Sequence, residues 1–376
     1  MMPSSLSRWL VGAGTLLALP AAMAAERVNV VTSFSILADM VENVGGEHVE
    51  VTSLVGADGD AHVFSPSPGD ARSLAQADLV VFNGLLFEGW MERLIDASDY
   101  SGPLVTATQG VDARAFTPQA EGEHSEHDEH DDHDDHDDHD DHGHDEQDDH
   151  TTHDEHGEHD EHDEHGKHDD HEGHAHGNED PHAWQDMQQA QVYVANIRDG
   201  LIEADSDNAD TYRANAERYL EEMAEVDSEM RDLLSEIPAS TTIITGHDSF
   251  GYFANAYGLR FLSPVGLSTE ADPSAASIAD LVDVIEDQDV QALFHENMTN
   301  QSIITQLAEE TGLPIAGTLY ADALASEGEA STYLGMMRHN AEVLNAALAQ
   351  PGHDDHHASN HDDHDDHDDH DDQHDH

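Results

Sequence analysis

Two stretches of the chain alternate short apolar runs with segments of helical periodicity. In the first stretch, strands are predicted at 28–32, 49–55, 79–82 and 103–105, and helices at 36–44, 71–77 and 85–95. In the second stretch, strands are predicted at 242–244, 261–265, 292–294 and 314–319, and helices at 250–257, from Asp272, from Gln301 to a stop at Gly312, and at 331–349. Strands that alternate with helices of this length indicate parallel βαβ units.

A long amphipathic segment separates the two stretches, after a helix predicted at 186–204. Its apolar residues are mostly three and four positions apart: Tyr212, Ala216, Tyr219, Leu220, Met223, Val226, Met230 and Leu233. Asp207 or Asp210 is predicted to cap this helix, and Pro238 follows its end. At about 28 residues it would be about 40 Å long. The predicted fold is therefore α/β, with two parallel-sheet lobes at 25–205 and 238–350 joined by one rigid helix at 206–237.

Histidine and aspartate repeats fill two tracts, at 121–177 and 351–376, which hold 27 of the 33 histidines. Imidazoles interleaved with carboxylates cannot form an apolar core, so both tracts are expected to be disordered. They offer nitrogen and oxygen donors that collect borderline divalent metals, and the alternative is an acidic linker with incidental metal binding. The accessory metal-collecting residues are predicted to include His133, His136, His139, His142, His361, His364, His367 and His370.

Composition constrains the cellular setting of the protein. The formal net charge of −71 at pH 7 disfavours nucleic acid and anionic membranes as partners. Residues 1–24 combine the basic Arg8, an apolar run too short to span a membrane and a small-residue cleavage pattern, which predicts a signal peptide. The chain contains no cysteine, which excludes thiolate metal ligands and argues against a lipid anchor. A soluble, exported protein is expected.

Four candidate metal ligands lie at predicted strand ends or lobe edges: His62 in AHVFSPSP, His182 in DPHAW, His247 in TGHDSF and Asp322 in LYADAL. Ligands of parallel α/β lobes bind at the carboxyl ends of the strands. Three neutral imidazoles and one carboxylate form a compact site suited to Zn²⁺. The prolines near His62 and beside His182 restrict those loops before metal arrives.

These motifs, in their order and spacing, resemble the zinc-specific, ZnuA-like branch of the periplasmic metal-binding proteins of ABC importers. The resemblance covers the mature chain outside the tracts, and that branch also carries a His-rich insertion between the first two motifs. It implies two α/β lobes bridged by one backbone helix, with Zn²⁺ as cargo in the cleft between them. His62, His182 and His247 would be its imidazole ligands and Asp322 the fourth, with another carboxylate or water as the alternative to Asp322.

The same resemblance implies a receptor in the periplasm, not an enzyme. An inner-membrane ABC permease with a cytoplasmic ATPase would receive the zinc, and the receptor is expected to be a monomer. Manganese and iron branches of the family usually carry glutamate at the position of His247, so the histidine favours zinc.

Other residues near the motifs or elsewhere in the chain have structural interpretations, and two of them also have a functional one. Glu296 either supports the metal site or makes a structural hydrogen bond, and Asp248 either orients an imidazole or caps the following helix. His48 and His339 are predicted to be surface residues. Trp90 and Tyr219 are predicted to pack in the core or between helices.

Three other functions are alternatives to a zinc receptor. A zinc hydrolase would need an open coordination position and a general base, and the chain has no His-Glu-x-x-His sequence. A metal buffer would depend on the tracts, with the lobes as scaffold. A receptor of the same fold could instead carry manganese or nickel.

Overall fold

A computed structural model describes residues 27–116, 179–239, 241–270, 273–288 and 290–349 of the chain. Two four-stranded parallel sheets organise these residues. The first contains β1 (Val28–Phe34), β2 (Val49–Val55), β3 (Leu79–Phe82) and β4 (Leu104–Thr106), in the order β2-β1-β3-β4. The second contains β5 (Thr242–Ile244), β6 (Arg260–Leu262), β7 (Leu293–Glu296) and β8 (Ile315–Leu319), in the order β6-β5-β7-β8. The predicted α/β fold of two parallel-sheet lobes is confirmed.

Helices connect and cover the strands. They are α1 (Ser35–Gly45), α2 (Pro68–Ala75), α3 (Met91–Ser98), α4 (Met187–Ala204), α5 (Ala209–Leu234), α6 (Gly251–Tyr257), α7 (Ala275–Asp287), α8 (Ser302–Thr311) and α9 (Tyr333–Leu348). Helix α8 ends where its sequence predicts, because Gly312 adopts the left-handed conformation at φ 73°. None of the helices in the described ranges is long and apolar enough to cross a membrane.

The long helix α5 packs against α1 and α4 of the first lobe and against α9 of the second. Its buried face repeats at the predicted spacing, with Tyr212, Ala216, Tyr219, Met223, Val226, Met230 and Leu234 all buried. At 26 residues it is about 39 Å long. The predicted caps were wrong: a 3₁₀ turn at Ser206–Asn208 leads directly into α5, and Asn208 occupies the cap position without a side-chain hydrogen bond.

The helix predicted at 85–95 begins only at Met91. Leu85 and Leu86 adopt left-handed conformations, with φ of 52° and 60°, which a right-handed helix cannot contain. The buried carboxylate of Glu88 stabilises this turn by accepting the backbone N–H groups of Asn83 (2.7 Å) and Gly84 (3.2 Å). The turn replaces the first part of the predicted helix and places Phe87 beside His62.

Three other boundaries differ for local reasons. Helix α2 starts three residues earlier than predicted, because Ser67 and Asp70 form a capping box there. Helix α7 starts at Ala275 instead of Asp272, since Ser274 caps it by accepting the N–H of Ser277. Strand β6 ends at Leu262, before Pro264, which has no N–H to donate to a neighbouring strand.

Several predictions concern residues outside the described ranges. The signal peptide at 1–24 and the tracts at 121–177 and 351–376 lie there, as do all eight accessory histidines. The lobe boundaries at 25, 205, 206, 237, 238 and 350 stay predictions.

Asp39 on α1 is a partly buried carboxylate where three helices meet. Its Oδ2 accepts a hydrogen bond from the Tyr219 hydroxyl on α5 (3.3 Å) and another from the backbone N–H of Tyr333 at the start of α9 (3.0 Å). Burial raises the pKa of Asp39 to about 6, and the charge of Glu42 adds to this, although the two hydrogen bonds oppose it.

Replacement of Asp39 by asparagine is expected to stabilise the protein above pH 6. Because the pKa is higher in the folded than in the unfolded chain, the folded state binds this proton more tightly, and stability is lost as pH rises from about 4 to about 6. Asp39→Asn cannot ionise, so it should exceed the wild type by about 3 kcal/mol at pH 7.5 and match it at pH 4. Urea unfolding at several pH values measures this; a difference independent of pH would contradict it.

Candidate metal site

The four candidate ligands lie together between the lobes. His62 is in the loop after β2, His182 lies just before α4, His247 follows β5, and Asp322 follows β8. One possible ligand atom from each lies within 4.8 Å of the other three. The side chain of His62 is 4% exposed, and the other three side chains are at most 1% exposed. The chain therefore gathers three imidazoles and a carboxylate in a place that water scarcely reaches.

Asp322 is at the centre of this cluster. Its Oδ2 lies 3.2 Å from Nε2 of His62 and 3.0 Å from Nε2 of His247, and its Oδ1 lies 3.7 Å from Nε2 of His182. Nε2 of His182 and Oδ1 of Asp322 are buried without a hydrogen-bond partner among the residues that the structure describes. Buried polar atoms without partners are rare, and here they face each other. A cation between these groups would satisfy both.

Carboxylates behind the rings fix the direction of two imidazoles. Nδ1 of His247 lies 2.5 Å from Oε2 of Glu296, whose Oε1 accepts the backbone N–H groups of Gly246 (2.7 Å) and His247 (2.9 Å). Nδ1 of His182 lies 2.8 Å from Oδ1 of Asp180. Each contact leaves Nε2 facing Asp322, which is the arrangement by which outer carboxylates orient metal-binding histidines. Glu296 makes the structural hydrogen bonds of one interpretation and also contacts the ring of His247, and its support of a metal site stays a prediction.

Sequence reasoning missed Asp180 and its counterpart Asp60. Each lies two residues before a candidate ligand and accepts that histidine's backbone N–H, at 3.0 Å from His182 and 2.9 Å from His62. The second oxygen of Asp60 accepts the hydroxyl of Thr269 in the other lobe at 2.6 Å. The shared Asp-x-His spacing was the available signal, since aspartate often bonds the backbone two residues on.

The charges of the cluster are strongly coupled. Burial lowers the pKa of His62, so this ring is neutral at neutral pH. Burial also opposes a charge on His247, but the carboxylates of Glu296 and Asp322 outweigh it and raise the pKa of His247 well above its usual value. Burial would raise the pKa of Asp322, but the charges of His247 and His182, the hydrogen bond from His247 and the ring of His62 at 3.2 Å hold it well below its usual value. Without metal, a proton on His247 balances part of the buried negative charge.

An aromatic cluster supports the rings from the first lobe. Phe87 packs edge-on against His62 with ring centroids 4.6 Å apart, and Trp184 packs edge-on against His182 at 5.3 Å. Trp90 is buried as predicted, and its indole also donates to the carbonyl of Ala61 at 2.7 Å, next to His62. Tyr219 is buried on α5, as predicted.

The remaining polar candidates lie around or away from the cluster. Asp248 does not cap α6, because Phe250 precedes that helix and no side chain caps it. Burial and the charge of Asp180 raise the pKa of Asp248 to about 6, against the opposing charges of His182 and His247. His48 packs against Tyr212, and Nε2 of His339 lies 3.2 Å from the carbonyl of Thr318; both are only partly buried and lie outside the cluster.

Solved structures share this fold. The periplasmic zinc-binding protein TroA from Treponema pallidum superposes with a TM-score of 0.68 at 22% identity, over 86% of this chain and all of that one. A periplasmic metal-binding protein from Candidatus Liberibacter asiaticus gives a TM-score of 0.64 at 21% identity, with the same shares covered.

Curated relatives extend the likeness to the sequence. The manganese-binding lipoprotein MntA of Halalkalibacterium halodurans is 30% identical over 328 residues, which cover 86% of this chain and 90% of that protein. The iron-binding protein YfeA of Yersinia pestis is 25% identical over 331 residues, covering 87% and 88%.

Two parallel-sheet lobes with a buried cluster of three histidines and one carboxylate between them define the class of metal-binding receptors of ABC importers. Within that class, the chain belongs to the family described as zinc-uptake complex component A, periplasmic, whose model matches residues 30–347. Members of this family bind metal and pass it to a membrane permease driven by an ATPase, and they are not enzymes.

Proposed function

We propose that this receptor captures Zn²⁺, with His62, His182, His247 and Asp322 as its ligands. The convergence of three imidazole nitrogens and one carboxylate oxygen within 4.8 Å carries the proposal. Imidazole suits zinc, whereas manganese prefers carboxylate, carbonyl and water oxygens. Glu296 and Asp180 support the assignment, because both hold an imidazole with Nε2 directed at Asp322.

Manganese is the second candidate cargo. It is favoured by the manganese-binding lipoproteins of Halalkalibacterium halodurans and Bacillus subtilis, which are 30% and 28% identical to this chain. The donor set argues against it, since three nitrogens and one carboxylate leave manganese with few of the oxygen ligands it prefers.

The His-Asp tract at 121–177 is proposed to collect metal for the cleft. Ala115 and Glu179, on either side of the undescribed segment, form an antiparallel bridge. Glu179 also lines a surface depression with His62 and Pro181. A chain that leaves and returns at this point keeps its imidazoles at a high effective concentration beside the cleft. The tail at 351–376 is proposed to act in the same way.

The location and partners follow from the same proposal. We infer that the receptor works in the periplasm as a monomer and that its N-terminal segment directs export. MntA of Halalkalibacterium halodurans is a lipoprotein, whereas the sequence of this chain contains no cysteine.

Titration by calorimetry of mature protein without either tract tests the cargo. We expect one tight zinc site per chain and manganese binding at least about 100-fold weaker, because divalent affinity rises from manganese to zinc at nitrogen-rich sites. Full-length protein is the control and should add weaker sites to the tight one. Absence of a tight site in the tract-free protein would assign zinc binding to the tracts. Manganese binding tighter than zinc binding would make manganese the cargo.

A further inference from the structure

The loop that carries Asp322, residues 321–326 and here called the Asp322 loop, belongs to the second lobe by sequence. It follows β8. The residue before it, Tyr320, is still held by α9 of that lobe. Asn340 donates to the carbonyl of Tyr320 at 2.8 Å, and its side-chain oxygen accepts the Tyr320 N–H at 2.9 Å.

From Ala321 onward the attachments change to the first lobe. The carbonyl of Ala321 accepts two hydrogen bonds, from the indole N–H of Trp184 and the side-chain amide of Gln185, both at 2.9 Å. The N–H of Leu324 donates to the hydroxyl of Ser35 on α1 at 3.0 Å. The carbonyl just before Asp322 and the N–H two residues after it are therefore fixed by side chains of the first lobe.

Asp58, in the loop after β2, completes these attachments. Its backbone N–H donates to the carbonyl of Leu324 at 2.9 Å, and its carboxylate accepts the N–H of Ser326 at 3.2 Å. Within the described part of the chain, the second lobe makes three hydrogen bonds to the Asp322 loop. Asn297 donates to the carbonyl of Ala323 at 3.2 Å, the N–H of Ala325 donates to the carbonyl of Ala330 at 2.9 Å, and Nε2 of His247 lies 3.0 Å from Oδ2 of Asp322. The backbone of this loop therefore makes five hydrogen bonds to the first lobe and two to the second lobe, to which it is joined by sequence.

Burial of the Gln185 side chain at this position costs free energy. Its side chain is fully buried, and its Oε1 has no hydrogen-bond partner among the described residues. A leucine of similar size would avoid the cost of burying that oxygen. A leucine could not donate to the carbonyl of Ala321. The hydrogen bond to that carbonyl is therefore what the amide of Gln185 provides.

We propose that Gln185 and Ser35 are positioning residues for the Asp322 carboxylate. The first lobe then carries His62 and His182 and also positions Asp322, which follows β8 of the second lobe, whereas His247 lies in the second lobe and is oriented by Glu296 of the same lobe. This inference rests on the proposed role of Asp322 as a metal ligand. It makes His247 the ligand whose contact with metal depends on how the two lobes meet.

The experiment measures zinc affinity at the cleft of the full-length chain. Free zinc is set by a chelator buffer, so metal on the tracts does not disturb it, and occupancy is read by tryptophan fluorescence, since Trp184 lies against His182 and neither tract contains tryptophan. The variants are Gln185→Leu, Ser35→Ala, Asp322→Ala and the double variant Gln185→Leu with Asp322→Ala. Gln189→Leu is the matched control, because Gln189 lies on α4 and bonds the N–H of Asp112, away from the cluster.

Gln185→Leu is expected to weaken zinc binding about tenfold, as loss of an outer partner of a metal ligand does. Ser35→Ala should act in the same direction, and Gln189→Leu should match the wild type. In the Asp322→Ala background, Gln185→Leu should have no further effect, because a positioning residue acts only through its ligand. Circular dichroism checks that each variant is folded.

Wild-type affinity in both Gln185→Leu and Ser35→Ala would overturn the inference, as would a tenfold loss that persists in the Asp322→Ala background. In either case a weakened Asp322→Ala variant would leave the proposed receptor function intact. Unchanged affinity in Asp322→Ala itself would overturn both the inference and the assignment of Asp322 as a ligand.

Discussion

His182→Ala is expected to lower the zinc affinity of the cleft by roughly 100- to 1000-fold, because four ligands share a binding free energy of about 10–16 kcal/mol in comparable sites. The substitution removes a ring whose Nε2 faces Asp322 and leaves the carboxylate of Asp180 without its imidazole partner. Calorimetry on mature protein without the tracts measures the change.

His48→Ala is the matched control, because His48 is a partly buried histidine that packs on Tyr212 outside the cluster. This control should keep the tight site and the wild-type stoichiometry. A His182→Ala protein that is folded and binds zinc as tightly as the control would refute the ligand assignment. Circular dichroism of both variants distinguishes lost binding from lost folding.

Zinc binding is expected to release about one proton per ion at neutral pH and to weaken about tenfold for each unit of pH decrease. Burial opposes the charged form of His247, but Glu296 and Asp322 raise its pKa well above the usual value, so the metal-free ring carries a proton on the nitrogen that zinc must occupy. Below this pKa, zinc must displace a proton from His247, so its binding weakens as the pH falls. His62 adds little at neutral pH, because burial lowers its pKa.

Calorimetry of the tract-free protein in buffers of different ionisation enthalpy counts the protons released. Glu296→Gln removes the charge nearest Nδ1 of His247, so it should release fewer protons and show a shallower pH dependence between pH 6 and pH 8. Equal proton release in the wild type and Glu296→Gln would show that the proton is not held on His247.

Most of the fold could be predicted from patterns of residues that are close together in the sequence. The buried strands and the apolar face of α5 depend on residues near each other in sequence, and both follow the predicted periodicity. The turn at Leu85 and Leu86 departs from the helix predicted there, because it depends on a buried carboxylate, Glu88, that accepts two backbone N–H groups. Nothing in the apolar pattern distinguishes such a turn from the first turn of a helix.

For the candidate site, the ligands could be predicted from the sequence, but not all of the residues that support them could. Its four side chains could be proposed because each follows a predicted strand or lies at a lobe edge, and the structure brings them together. Their supporting residues could not all be found, because the bonds from Trp184 and Gln185 to Ala321 join positions 137 and 136 residues apart. Such pairs become visible only when two lobes are placed against each other.

The bridge between Ala115 and Glu179 has a consequence for how this receptor can change over evolutionary time. The chain between them leaves and re-enters the first lobe at one place, so His-Asp-Asp units can be gained or lost there without shifting either sheet. In general, each doubling of the length of a connecting segment costs only about 0.6 kcal/mol in closure entropy. If the tract collects metal as proposed, the number of its metal-binding repeats can therefore change while the residues of the cleft stay the same.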